Sequence, residues 1–528
     1  MTASVTGSIR SWLRRARSRP WPVHPVLFGA YFILFLLSQN LGEVTWQESL
    51  PWVVLAAIGS AAVTLATGIL FGDLRRGALV AAAIVVCFFG YGHIAAALRP
   101  LRIPSLAFPL GWVALIAIAA IVAVRGRERV LPLTRALNTI AAVLIVVTLA
   151  TIVPYELSRK PTVGLNPVDV GPTGASGGRK PDVYYLILDR HANDATLDAV
   201  YGVQSPLTDR LRASGFTVLD HAYANYMRTH LSLASSMNMS YLDQLTEDYG
   251  RESNDVQSVF KLLQDDAVGQ FLKGQGYRYI HTGSSYQPTS RSALADENPQ
   301  RSSDTDFSRV LFDTTVLPGI ARRVTNGRDP DRDRLYETAR WQWGELARIR
   351  DEPGPKYVFS HFLLPHPPYI FDRDGSYVDE ATEKSRTEAD NYGRQVAYTD
   401  AQVLDFIAPL VALPPDQRPI IVIQADEGPF PRRYALGGGT WDWTQATDAE
   451  REQKFGILDA ILLPGDGPQP APSMTPVNTF RFLFDRYFGA NLPLLPDRVY
   501  ISRTAYRAFD FIDITEELRW GPELLGSP

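Results

Sequence analysis

The rhythm of apolar and polar positions changes near residue 160. Before it, charge-free stretches run 20–42, 49–72, 77–98, 103–124 and 136–155, each close to the roughly 20 residues a helix needs to cross a bilayer. They hold apolar segments such as Val26–Leu37 and Ala56–Leu70, so the pattern predicts a five-helix transmembrane domain over residues 1–157. A cleaved secretion signal is excluded, because it carries one short apolar core and a small-residue cleavage site. Residues 158–181 are rich in Pro, Gly and Ser without hydrophobic periodicity, the composition of a linker.

Beyond the linker the apolar runs shorten. Asp182–Leu188 is nearly continuous in apolar residues and empties into Asp189, the pattern of a strand buried on both faces. Similar runs recur at Tyr277–His281, Tyr357–Leu364, Pro419–Gln424 and Phe455–Leu463, with helical patterns between them, as at Pro206–Ser214 and Asn391–Ile407. The alternation predicts an α/β domain over 182–528, with a mostly parallel sheet covered by helices on both faces. The stretch 241–355 is polar, rich in Asp and Arg and weakly periodic, and it receives no element. No internal repeat is evident.

Charge divides the chain in the same place. The 52 basic and 56 acidic residues leave a net −4, yet residues 1–160 hold 15 basic against five acidic and carry +10. The remainder, 37 basic against 51 acidic, carries −14, which argues against a nucleic-acid partner. Arg10, Arg14, Arg15, Arg17 and Arg19, then Arg75 and Arg76, then Arg125, Arg127, Arg129 and Arg135 fall on one side of the expected spans. The positive-inside rule places that side, and the N-terminus, in the cytoplasm. Five spans then deliver the C-terminal domain outside. The lone Cys87 lies within the third span, so no disulfide staples the outer domain.

Ligands bind at the carboxyl ends of strands in an open parallel sheet. Two apolar runs end in acid: the first in Asp189, and the 419–424 run in Ala425 followed by Asp426, Glu427 and Gly428. Taken singly, each acid fits a cap or turn residue as well as a site. Together on one sheet edge, three carboxylates repel one another unless a cation lies between them. Thr229, in the segment Asn225–Ser236, stands where a helix N-cap is expected. That placement is common for structural reasons, and it also suits a hydroxyl nucleophile beside a metal, with helix N–H groups for an anion. A further run, Phe359–Tyr369, leads into a loop in which prolines surround His366 and hold it in place, while His361 fits a strand histidine satisfied in the core.

The order of these pieces resembles the sulfatase-like branch of the alkaline phosphatase superfamily: strand and Asp189, Thr229-xx-Ser232-Leu-x-Ser235, Pro-His-Pro-Pro-Tyr, and Asp426-Glu427-Gly428. Five spans before an outer catalytic domain is also the layout of lipoteichoic-acid synthases and lipid A phosphoethanolamine transferases. The resemblance implies that Asp189, Thr229, Asp426 and Glu427 are metal ligands. It makes Thr229 the nucleophile and places His366 at the phosphate or the leaving oxygen. Arg228, His230 and His361 join His366 as expected substrate-binding residues. Glu427 departs from the family, which usually has His or Asn there; an oxygen ligand favours one Mn²⁺ or Mg²⁺ ion, admits Ca²⁺ and disfavours Zn²⁺.

Sulfatases proper use a Cys or Ser converted to formylglycine, and Thr229 is neither. The resemblance therefore implies a phosphotransferase of a bacterial cytoplasmic membrane. Its donor would be a phospholipid carrying a phosphoglycerol or phosphoethanolamine head group, and its acceptor an envelope glycan or lipid. A hydrolase with the same residues and a scaffold that has lost its metal are the alternatives.

Overall fold

The computed structural model describes residues 20–98, 107–160, 165, 180–302, 304–325 and 328–518. The N-terminal arginines, the loop that begins the expected fourth span and most of the 158–181 linker lie outside them. The chain divides into two compact units, one of residues 1–160 with 304–327, the other of 161–303 with 328–528.

Unit 1 begins with five apolar helices, α1 (His24–Gln39), α2 (Trp46–Phe71), α3 (Leu74–Leu98), α4 (Ala107–Arg125) and α5 (Arg127–Ser158). Four of them, α2 to α5, are long and apolar enough to cross a membrane. The count of five spans expected from the sequence is thereby reduced to four candidates and one shorter helix. At 1.5 Å per residue the 16-residue α1 is about 24 Å long, short of a hydrocarbon core of roughly 30 Å. Polar side chains end it: Ser38 Oγ donates to the Phe35 carbonyl at 2.7 Å and Asn40 Nδ2 to the Leu36 carbonyl at 2.7 Å. Buried His24 ties α1 to two other helices, with Nδ1 2.9 Å from Asn138 Oδ1 and Nε2 3.2 Å from the Ala78 carbonyl.

Unit 2 is built on a six-stranded sheet of β1 (Val183–Leu188), β2 (Thr217–Val218), β3 (Arg278–Thr282), β4 (Lys356–Phe362), β5 (Ile420–Gln424) and β6 (Asp459–Leu462), in the order β2-β6-β5-β1-β4-β3. β3, β4, β1 and β5 run parallel, β6 runs antiparallel to β5, and β2, antiparallel to β6, runs in the common sense. Every residue of β1 is buried. Val183, Tyr185 and Ile187 enter one core, and Tyr184, Leu186 and Leu188 the other, so the central strand supplies both faces.

Helices cover the sheet, among them α6 (Thr229–Asn238), α9 (Pro330–Arg350), α10 (Glu388–Val411) and α11 (Pro476–Phe488). The numbers α7 (Asp306–Thr314) and α8 (Leu317–Val324) belong to two helices of unit 1. The expected strand 455–463 is corrected in part: Phe455 closes a helix begun at Asp448, and the strand starts at Asp459.

Candidate metal centre

The parallel strands aim their carboxyl ends at one place. Asp189 follows β1, where its N–H donates to the Phe362 carbonyl at the end of neighbouring β4 at 3.0 Å. His361 is the penultimate residue of β4, and Asp426 follows β5. Adjacent register explains the convergence: Ile187 pairs with His361 across one side of β1 and with Gln424 across the other.

Asp189, His361 and Asp426 are buried, and each offers one ligand atom within 4.8 Å of the others. Asp189 Oδ1, His361 Nε2, Asp426 Oδ2 and Glu427 Oε2 are all buried without a hydrogen-bond partner. Buried polar atoms are almost always satisfied, and the four unpartnered atoms on this strand edge form a group that could hold a metal ion. Burial raises both aspartates, with Asp426 next among the causes at Asp189 and Glu427 next at Asp426, which reaches about 6. A divalent ion relieves the crowding that causes these shifts.

The donor set differs from the expected one. The third atom grouped with the two aspartates is the His361 imidazole, while Glu427 Oε1 is taken by Arg190 Nε and Lys454 Nζ, each at 3.0 Å. His361 is set for ligation: its Nδ1 lies 2.8 Å from Thr289 Oγ1, leaving Nε2 toward Asp189 Oδ2 at 3.7 Å. Burial pulls its pKa down to about 3, so the ring is neutral. Taken as a strand histidine, it looked satisfied by the core; its orphaned Nε2 shows otherwise.

Thr229 opens α6, half-buried and close enough to Asp426 that its hydroxyl partly offsets the upward effect of burial on that carboxyl. Arg228, next to it, reaches Tyr434 with Nη2 2.9 Å from the phenol oxygen. His230 Nδ1 meets the Tyr286 hydroxyl at 3.1 Å, its Nε2 is unpartnered, and burial with Arg228 lowers its pKa to about 3. His366 sits in the proline loop with Nδ1 against the Pro367 carbonyl. A carbonyl only accepts, so Nδ1 carries the proton and Nε2 bears a lone pair. Burial, then Arg190, keep its pKa well below the usual value.

Three residues at the site carried no sequence signal. Arg190 holds a left-handed backbone, φ +65, and donates its N–H to Asp426 Oδ1 at 3.2 Å; such strain in a non-glycine residue clusters at functional sites. Lys454 is fully buried, 3.4 Å from the Phe430 ring centre and 2.9 Å from the Gly428 carbonyl, and burial lowers its pKa to about 7 despite Glu427. Gln395 on α10 clamps the histidine loop: Nε2 donates to the His366 carbonyl at 2.9 Å, and Oε1 accepts from the Ile370 N–H at 2.7 Å.

Three buried carboxylates and His361, beside two cationic side chains on a strand edge of an α/β sheet, form a group that could hold a metal ion. The sulfatase family model matches residues 181–450, about half of the chain, and the chain belongs to the sulfatase family. Among solved structures, the chain is similar to the C-terminal periplasmic domain of EcEptC from Escherichia coli, at 13% identity over 68% of this chain and 99% of that one, TM-score 0.43. The same domain in complex with Zn gives 14% identity, the same coverage and TM-score 0.40. Phosphonate monoester hydrolase of Agrobacterium radiobacter is 16% identical over 60% of this chain and 75% of that one, TM-score 0.35. Comparison with the curated proteins gives no match.

Proposed function

We propose that the chain is a membrane-anchored, metal-dependent phosphotransferase. It would move a phospholipid head group, of the phosphoglycerol or phosphoethanolamine type, to an envelope glycan or lipid through a phospho-threonine on Thr229. The observation that carries the reading is the convergence of Asp189, His361 and Asp426, with Thr229 at the start of α6 near enough to Asp426 to influence its carboxyl.

Asp189, Asp426 and His361 would hold the ion, with Thr229 beside it and the free Glu427 Oε2 near by. When bound, a divalent ion supplies the positive charge that acidifies the threonine hydroxyl and offsets the phosphate. Mn²⁺ and Mg²⁺ remain the favoured ions from the two aspartates, and the imidazole brings Zn²⁺ within reach.

The chain's own groups account for the rest. Thr229 Oγ1 would attack phosphorus in line, with Asp426 beside it to take up the hydroxyl proton. The bond from phosphorus to the glyceride oxygen breaks, and diacylglycerol departs with the proton. Arg190 and the N-terminal N–H groups of α6 face the anionic phosphoryl group. An acceptor hydroxyl would then attack the same phosphorus near His366, the bond to the Thr229 oxygen would break, and the acceptor's proton would return to that oxygen. With no cysteine or serine at position 229 to become formylglycine, phosphoryl transfer suits this nucleophile better than sulfate-ester hydrolysis.

The test is metal content of the full-length protein in detergent, wild type beside Asp426→Ala, together with diacylglycerol release from phosphatidylglycerol and phosphatidylethanolamine. A bound divalent ion is expected in the wild type and not in Asp426→Ala. Thr229→Ala should keep the ion and lose roughly 1,000-fold or more in release. Head group appearing in water rather than on an acceptor would make the enzyme a hydrolase. No ion and no release with added Mn²⁺, Mg²⁺, Ca²⁺ or Zn²⁺ would sink the reading.

A further inference from the structure

The chain leaves unit 2 after residue 303 and re-enters it at 328, and the segment between belongs to unit 1 with the apolar helices. Its first helix, α7, is anchored there by Phe307 and Leu311, which pack in one cluster with Ile33, Leu37 and Ile152. The turn into α8 is pinned to α3: the Val316 N–H donates to the Phe88 carbonyl at 3.1 Å, and a Cβ added at Gly92 would run into the Asp313 carbonyl.

The second helix, α8, has a different character. None of its residues is buried. Leu317, Ile320 and Val324 nevertheless recur at i, i+3 and i+7 on one face, with Ile320 50% and Val324 77% exposed, while Arg322 and Arg323 occupy other faces. Val310 of α7 is likewise exposed. An apolar stripe open to water is costly in a soluble segment.

We propose that α8 is an interfacial helix: its Leu317–Ile320–Val324 face enters the outer boundary of the bilayer, and Arg322 and Arg323 reach anionic lipid head groups. Depth supports a lipid occupant. Gly92, where the hairpin meets α3, lies six residues before the end of the charge-free stretch 77–98 that Arg99 closes, about 9 Å along the helix axis. Amphipathic interfacial helices rest about 5–10 Å into the head-group and acyl boundary. The helix also belongs to a unit whose other helices expose Val113, Ile118 and Ile121. The hairpin thus gives residues 303–328 a second attachment to the membrane besides the one at residue 160. The inference rests on unit 1 lying in a membrane and is independent of the reaction.

The test uses the full chain carrying Cys87→Ala, with single Ile320→Cys, Val324→Cys, Arg322→Cys and Ile121→Cys substitutions. Each is labelled with an environment-sensitive dye and placed in nanodiscs containing phosphatidylglycerol. A nitroxide lipid labelled near its head group should quench the dyes at 320 and 324 at least about twofold more than the dye at 322, which aqueous iodide should quench instead. Equal iodide quenching at 320, 322 and 324 would overturn the interfacial helix while Ile121→Cys stays lipid-quenched. A label at 121 that iodide reaches would overturn the membrane reading and the proposal with it.

Discussion

Asp459 on β6 accepts a hydrogen bond from Gln424 Nε2 at 2.6 Å with one oxygen, while its other oxygen is buried and unpartnered. Burial raises its pKa to about 8. The unfolded chain releases that proton near pH 4, so between about 4 and 8 only the folded state binds it, and stability falls as pH rises through that window. Asp459→Asn removes the penalty. Its thermal midpoint should match wild type near pH 4 and exceed it near pH 8, by an amount on the order of a few kcal/mol; parallel midpoints across that range would refute the assignment. The residues of the metal centre were legible to different degrees. Asp189, Thr229 and Asp426 stand at strand and helix ends, where position alone implies a site. His361 was expected at the substrate and is found grouped with the two aspartates, and Lys454 in its polar helix carried no signal, because both placements depend on which strands become neighbours.

At the scale of elements, α2 and α3 approach closely around two glycines. A Cβ on Gly77 would meet the Gly68 backbone, and Thr67 Oγ1 donates to the Gly77 carbonyl at 3.0 Å. Small residues at such crossings let helix backbones pack where apolar burial gives no driving force. Gly77→Val should force the pair apart, lowering the thermal midpoint in detergent, whereas Gly59→Val, at a position with open space, should leave it unchanged. Strand and helix positions followed from periodicity, with β4 and β5 within two residues of expectation. What periodicity missed is the antiparallel sense of β6 and the helices of 241–355, whose apolar residues are spread too thinly along a polar stretch to show a face.

At the scale of the whole molecule, the two units carry opposite charge, and the arginine-rich side of the apolar helices sets the expected orientation. Protease added to spheroplasts should cut unit 2 and spare the start of α3, which bears Arg75 and Arg76; protection of unit 2 would reverse the topology. By itself the sequence determined that a positively charged apolar segment precedes an α/β body, because hydrophobic runs and charge are local quantities. It also placed two acids and a threonine at element ends. Only the tertiary structure decided that His361 joins Asp189 and Asp426, and that Arg190 and Lys454 occupy Glu427. It alone returned residues 304–327 to the helices of unit 1. Those outcomes depend on strand order and on contacts between residues hundreds of positions apart, which no local pattern encodes.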